Sequence, residues 1–459
     1  MRSRTVRLAG PLDLLDTLPT SQGIVWTRGG TGFVAWGEAV RLDPGAGPGR
    51  FARAAEAASS LLENIEREPG NEGPGPLVVG SFTFLRDVPG SWLILPAVVL
   101  RWTGEEAWLT VTGPDDLLAE LAGQDAGTIL RRVSDIGDPR RGTTGALSST
   151  SAMGSGNGSE PSGAAGDPSQ RARGNADDRR QPKSDTEWMA AVGSARQSIR
   201  DGRLLKVVLA RDVVVDHGAP FDARVIARRL ADRYPECWTF ACEGLVGASP
   251  ELLVERDGST LHSLTLAGSA RRGDDPAADE EAGRELLASR KDRWEHELAV
   301  RFVRDTLTRC CSELWVDPEP SLLRLANVQH LATNTHGLLS EPLDAIELAG
   351  RLHPGAAICG TPASEALEVI RELEGMDRGH YAAPVGWMDA SGNGEWAIAL
   401  RCAELSGSRA RLFAGAGIVA ESDPTSELEE TRLKLRPILS ALKAPGGEEI
   451  HAGQGRTTP

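Results

Sequence analysis

The stretch ELLVERDGSTLHSLTLA, residues 251–267, decides how this chain folds. Its two halves are rich in β-branched and large apolar residues, and Asp257-Gly258 between them is a hairpin signal. Strands joined by so short a turn run antiparallel. Working outward, KVVLARDVVV (206–215) reads as a strand, and so does 238–242. A second hairpin is expected from 385–389 and 395–405 across Ser391-Gly392-Asn393-Gly394, followed by a strand over 411–419. Strand pairs of this kind point to antiparallel sheet, not βαβ winding. No GxGxxG or Walker pattern stands between a strand and a helix, which removes support for a nucleotide site.

Helices fill the intervals. Ser184 and Glu187 form a capping-box pattern, so a helix should start there and stop at Gly202. Further helices are expected over 223–233, 277–311, 344–352 and 363–374. Asp423-Pro424 supplies an N-cap and an N1 proline for a last helix, which Pro437 should kink or end. The first part, residues 1–137, is also mixed, with an amphipathic helix over 50–66 and an inner strand over 80–84. Residues 138–183 are Gly/Ser/Pro-rich and nearly free of large apolar side chains. Such a segment cannot bury enough surface to offset its ordering entropy, so a disordered insertion is expected. Residues 184–445 then form the catalytic region, and 446–459 a flexible tail.

Composition sets outer bounds. The chain has 459 residues, 40% hydrophobic and 25% charged, which fits a soluble globular protein. A net charge of −15 argues against nucleic acid or an anionic membrane as partner, and requires local cations for any anionic substrate. The six cysteines form no CxxC pair and have no histidine at zinc-finger spacing, so they read as free thiols in a reducing cytoplasm. Gly10, Pro11 and Asp13 break the apolar run after the first arginines, and no stretch reaches the length of a membrane span. A cytoplasmic monomer is expected.

Several residues could carry chemistry, each with a plainer reading beside it. Glu427, Glu430 and Lys434 share one face of the last helix. Carboxylates one turn apart repel unless a cation sits between them, and oxygen-rich clusters suit Mg²⁺; a solvated face is the alternative. Asp292 and Glu295 repeat that spacing, and His296 beside them reads as an idle exposed histidine. Lys206 opens an apolar strand, either as a snorkelling edge residue or as a buried amine usable as a base. Glu251 stands at the entrance of another apolar strand, a setting that raises a carboxyl pKa and suits a general acid, unless it faces solvent. Gly268-Ser269 and Gly415-Ala416-Gly417 are small-residue turns that could bring backbone amides up to a carboxylate.

In order and spacing, these residues resemble the chorismate-utilising enzymes: isochorismate, salicylate, anthranilate and aminodeoxychorismate synthases. The resemblance is carried by KVVLAR (206–211), GASPELL (247–253), LAGSARRG (266–273), KDRWEH (291–296), VQHLAT (328–333), CGTP (359–362), ALRCAE (399–404) and AGAGIV (414–419). The E-x-x-E-x-x-x-K of the last helix completes it, so the match covers residues 184–442. It implies one large α/β (α+β) domain of two antiparallel sheets packed together with helices outside, as in anthranilate synthase component I. It also implies Mg²⁺ as cofactor and chorismate as substrate. By resemblance Lys206 is the general base that activates water for attack at C2, and Glu251 the general acid that protonates the departing C4 hydroxyl. Glu295 and Glu430 would hold Mg²⁺ with Glu427 close by. Gly268, Ser269, Ala357, Arg401, Gly415 and Lys434 would surround the substrate.

Within the family, anthranilate synthases carry glutamine where Lys206 stands, and aminodeoxychorismate synthases carry a nucleophilic lysine where Ala267 stands. Salicylate synthases tend to have threonine near Ala357. The resemblance therefore implies an isochorismate synthase, for menaquinone in the first reading. A catechol siderophore, a salicylate synthase and an inactive binding paralogue are the alternatives. Gly355 departs from the family's usual threonine.

Overall fold

The structure is a computed structural model that describes residues 1–19, 23–68, 73–134, 136 and 182–443. The expected insertion, apart from Pro182 and Lys183, and the expected tail lie outside these residues. The deciding hairpin forms as read: Leu252–Asp257 pairs antiparallel with Thr260–Arg271, and Gly258 turns between them at φ +58°. A positive φ of that size suits a residue without Cβ.

Mixed α/β content with a large antiparallel sheet is what the chain adopts. Every strand pair is antiparallel except Arg2–Leu8 with Glu66–Arg67. All the strands join into one hydrogen-bonded network, and Trp92–Trp102 is its junction. One edge of that strand pairs with Thr31–Leu42; the other pairs first with Leu77–Ser81 and then with Ala107–Gly113. Two arms leave the junction. One runs through Thr31–Leu42, Ile24–Arg28, Trp238–Cys242, Leu245–Ser249, Cys402–Ser406 and Arg409–Ile418 to Lys206–Asp216. The other runs through Leu77–Ser81, Pro384–Asp389, Gly394–Ile398 and Leu252–Asp257 to Thr260–Arg271 and Val328–Leu339. The arms face each other across a shared core: Trp26 Nε1 of the first donates to Glu395 Oε2 of the second at 2.7 Å, and Phe33 meets Trp387 edge-on at 6.0 Å. The two packed sheets are thus two arms of one network.

Helices cover the outside. Asp185–Arg200 starts with the capping box at Ser184, and Ala223–Arg233 and Ala363–Glu374 fall where their periodicity places them. The single helix expected over 277–311 is two, Pro276–Ala288 and Arg290–Leu307. Ser289 takes an extended conformation between them, ending the first and capping the second by accepting from Asp292 N. Cys311 already belongs to a strand, Cys311–Val316. The strand expected over 395–405 breaks after Ile398 and resumes at Cys402, with Arg401 between them at φ +50°. The last helix, Pro424–Leu442, runs through Pro437 without ending there. Leu245–Ser249, Ser321–Arg324 and Val328–Leu339 are strands that periodicity alone does not reveal. Among the described residues no helix is long and apolar enough to cross a membrane.

The capping box fixes where the helix Asp185–Arg200 starts. Ser184 Oγ accepts from Glu187 N at 3.3 Å, and Glu187 Oε2 accepts from Ser184 N at 2.8 Å. Replacing an N-cap serine by alanine typically costs about 1 kcal/mol. Ser184→Ala should lower unfolding free energy by about that amount, read as a shifted urea midpoint at constant slope.

Candidate active site

Lys206 is the first residue of its strand and has no exposed surface. Its Nζ lies 3.1 Å from Glu295 Oε1, and among the described residues it makes no hydrogen bond besides this ion pair. It is therefore the buried amine, not the snorkelling edge residue. Glu295 reaches it from the helix Arg290–Leu307, one of whose faces is buried. The contact needs space that Gly417 provides. A Cβ on Gly417 would sit 2.0 Å from Glu295 Oε1 and 3.1 Å from Lys206 Cε. Gly417 was not among the site residues expected from sequence; its only signal there was the Gly415-Ala416-Gly417 turn.

Glu251 faces a cavity whose lining includes Glu295 but not Lys206. Ser249 Oγ accepts from Glu251 N at 3.2 Å, and Glu251 Oε1 accepts from Leu266 N at 3.4 Å. Burial pushes its pKa up to about 7, against the Leu266 amide and the charges of Lys206, Lys434 and Arg401, which favour the carboxylate. Gly268, Ser269, Glu295, Ala357, Arg401, Gly415 and Lys434 line this cavity with it.

Gly268 forms a bulge. The register between Thr260–Arg271 and Val328–Leu339 shifts there, and Gly268 has φ +77°. The shift aims Ser269 at His330, whose Nδ1 lies 2.9 Å from Ser269 Oγ. Arg401 Nη2 lies 3.0 Å from His330 Nε2. An arginine only donates, so Nε2 accepts and the proton sits on Nδ1. The Ser269 hydroxyl then keeps its own hydrogen for something else. Burial and the charges of Arg401 and Lys434 hold the His330 pKa well below the usual histidine range, which keeps it neutral. Arg401 is buried, and its Nη1 has no hydrogen-bond partner among the described residues. Arg401 lines the cavity, and a buried guanidinium nitrogen without a partner is a place for an anion. Lys434 Nζ donates to Gly415 O at 3.0 Å and pairs with Glu430. His330, absent from the sequence expectations as a site residue, is the link between Ser269 and Arg401.

Glu427 and Glu430 line an adjoining groove that shares Ser269 and Lys434 with the cavity. The Glu427 side chain is 1% exposed, and its Oε1 lies 2.6 Å from Lys291 Nζ. Burial and the neighbouring Glu430 charge push the Glu427 pKa up to about 7, although Lys291 opposes them. Burial works against the Lys291 ammonium, but the charges of Glu427, Glu295 and Glu430 hold it above the usual lysine range. These carboxylates thus gather around one lysine, and each is ion-paired with a different one. Among the described residues no three histidine, cysteine or carboxylate side chains converge as a ready metal cage. His296 is buried, not exposed: it bonds Ala267 O at 3.1 Å and Thr333 Oγ1 at 2.7 Å, and burial pushes its pKa down to about 4.

Two outcomes follow. Gly417→Ala should separate Lys206 from Glu295, and a misplacement of about 1 Å at a reacting group can cost on the order of 100-fold in rate. A melting curve close to the parent's would locate that loss in the site. For Glu251 the folded pKa is raised, so the native state binds more protons than the unfolded chain between about 4.5 and 7. Unfolding free energy must then fall as pH rises through that window, by on the order of 3 kcal/mol. Glu251→Gln should remove this fall, becoming more stable than the parent as pH rises from about 4.5 and holding a constant advantage above about 7. Denaturant midpoints from pH 4 to 8 measure it.

The chorismate binding enzyme family matches residues 160–443. Over 454 residues the chain is 36% identical to the salicylate biosynthesis isochorismate synthase of Pseudomonas aeruginosa, a match covering 94% of this chain and 87% of that protein. It is 42% identical over 266 residues to isochorismate synthase MenF of Bacillus subtilis, covering 57% of this chain and 56% of that protein, little more than half of the relative's length. The solved structure of MenF, the menaquinone-specific isochorismate synthase of Escherichia coli, superposes with a TM-score of 0.72 at 24% identity, covering 96% of this chain and 94% of that one; this likeness speaks to the fold. Matched by the family over more than half of its length and by a relative over nearly all of it, the chain belongs to the chorismate-binding enzyme family.

Proposed function

We propose that the protein is an isochorismate synthase that converts chorismate to isochorismate with Mg²⁺. The observation that carries the reading is a buried carboxyl, Glu251, whose pKa lies at about 7, in a cavity whose Glu295 touches a buried lysine. Lys206 would take a proton from the water that adds at C2 as the neutral amine, the form favoured once a bound cation replaces its ammonium beside Glu295. Glu251 gives its proton to the C4 hydroxyl, which leaves as water while the ring double bonds shift. One water enters and one leaves, so the reaction is an isomerisation. Lysine at 206, where the ammonia-using relatives have glutamine, supports water as the nucleophile.

Chorismate is a dianion, and the site offers fixed cations for it. The open Nη1 of Arg401 and the Lys434 ammonium suit one carboxylate, with the Ser269 hydroxyl free to donate. The metal would be held by Glu295 and Glu430, with Glu427 beside them. Their all-oxygen donor set and the raised Glu427 pKa, caused by burial and by the neighbouring Glu430 charge, fit a hard divalent cation. When bound, Mg²⁺ supplies positive charge for the second carboxylate. The product is proposed to serve menaquinone synthesis. A second reading, supply of isochorismate for salicylate, is favoured by the relative named for salicylate biosynthesis, whose match covers 94% of the chain.

Purified protein with chorismate and Mg²⁺ should yield isochorismate. Salicylate plus pyruvate would make it a salicylate synthase, and no product would make it a binding paralogue. Lys206→Ala and Glu251→Gln should each lower kcat by about 10²–10⁴-fold while chorismate binding stays measurable. The parent's rate should fall as pH rises through about 7, where Glu251 loses its proton. Near parental turnover in Lys206→Ala would place the base elsewhere.

A further inference from the structure

The strand that begins with Lys206 is incompletely paired. One edge is covered along its length by Arg409–Ile418. Among the described residues the other meets only Gly360–Thr361, opposite Lys206 and Val207, and Cys359 O, which accepts from Val208 N at 2.8 Å. Beyond that point Val208 O and Ala210 N still face outward on this edge, with no strand to receive them. Two side chains take the strand's place. Arg378 Nη2 donates to Val208 O at 2.8 Å, and Glu374 Oε1 accepts from Ala210 N at 2.7 Å. One donor and one acceptor, two residues apart, reproduce the bonding of a neighbouring antiparallel strand.

The same two side chains bond each other. Arg378 Nε donates to Glu374 Oε2 at 2.9 Å, and both side chains are 1% exposed. Arg378 Nη1 donates to Ile358 O at 2.9 Å, and the guanidinium lies 4.1 Å from the Phe84 ring centroid. Ile358 follows Ala357, and Val208, Ala357, Ile358 and Arg378 all line the active-site cavity. A fully buried ion pair is a poor device for stability, because desolvating both charges offsets most of their attraction. Here it fixes the distance between the strand carrying Lys206 and the opposite wall.

We propose that Glu374 and Arg378 are positioning residues for the reaction: a side-chain substitute for a missing edge strand that sets the depth of Lys206 and the spacing of the Val208 and Ala357–Ile358 walls. The kinetic part rests on the isochorismate synthase reading; the structural part does not. Lysine cannot replace the planar fork of Arg378, because its single ammonium cannot reach Val208 O, Ile358 O and Glu374 together. The pair Glu374→Leu with Arg378→Leu removes both charges at once, so that neither is left buried without its partner.

The experiment compares the parent, Arg378→Lys and the double leucine variant by thermal melting, by steady-state kinetics with chorismate and Mg²⁺, and by amide hydrogen exchange. Expected are melting temperatures below the parent's, because Val208 O, Ile358 O and Ala210 N lose bonds, with the variants still folded at the assay temperature, kcat at least about tenfold lower, and KM changed by less than about threefold. The Ala210 amide should exchange faster while amides of the Arg409–Ile418 strand keep their protection. A folded variant with parental kcat, or with parental Ala210 exchange, would overturn the proposal. Should the double variant not fold, Arg378→Lys decides. A parent that makes no isochorismate would refute the function reading instead, and the Ala210 exchange would then decide the positioning claim alone.

Discussion

A buried lysine touching a buried glutamate is the constraint around which the rest of the molecule is arranged. Neither charge is tolerable alone in a dry interior, and together they hold only at contact distance. That contact joins the first residue of one strand to the second turn of a helix, across a neighbouring strand that must carry no side chain at Gly417. Strand register, helix placement and the choice of glycine are all fixed by one ion-pair distance. The bulge at Gly268 and the left-handed Arg401 serve the same cavity, as local departures from regular sheet that turn Ser269 and a guanidinium inward.

Electrostatics explains how an acidic protein can have a site for a dianion. The −15 net charge is a property of the whole chain. Inside the site, lysines 206, 291 and 434 each answer one glutamate, and Arg401 remains with an open nitrogen. Local neutrality is reached pair by pair, so an added cation and an added anion can enter without leaving a large unbalanced field. A carboxyl such as Glu251 keeps its proton near neutrality because its surroundings are dry, despite three cations nearby.

Much of this was legible in the residues. Turn chemistry and caps work over a few positions, so the hairpin at Gly258, the box at Ser184 and the proline start of the last helix could be read directly. The family resemblance supplied the list of cavity residues, most of which the fold brings together. What could not be read depends on distant partners. Ser289 looks like any helix residue until two helices diverge from it. His296 is a helix histidine whose burial is decided by Thr333 on another strand. His330 and Gly417 acquire a role only through Arg401 and through the Glu295–Lys206 contact, neither of which leaves a periodic trace.

The pairing of Ile24–Arg28 with Trp238–Cys242 has a consequence for how the molecule comes into being. Trp26 pairs with Phe240 in the sheet and bonds Glu395 across the core, so one edge of this early strand has its partner late in the chain. A ribosome adds roughly 5–20 residues per second, so Ile24–Arg28 emerges about 10–40 s before Trp238–Cys242 exists to cover its edge. Throughout that interval an apolar strand edge is open to any other extended chain. This early strand of the molecule thus keeps an unpaired edge until the second half has been made.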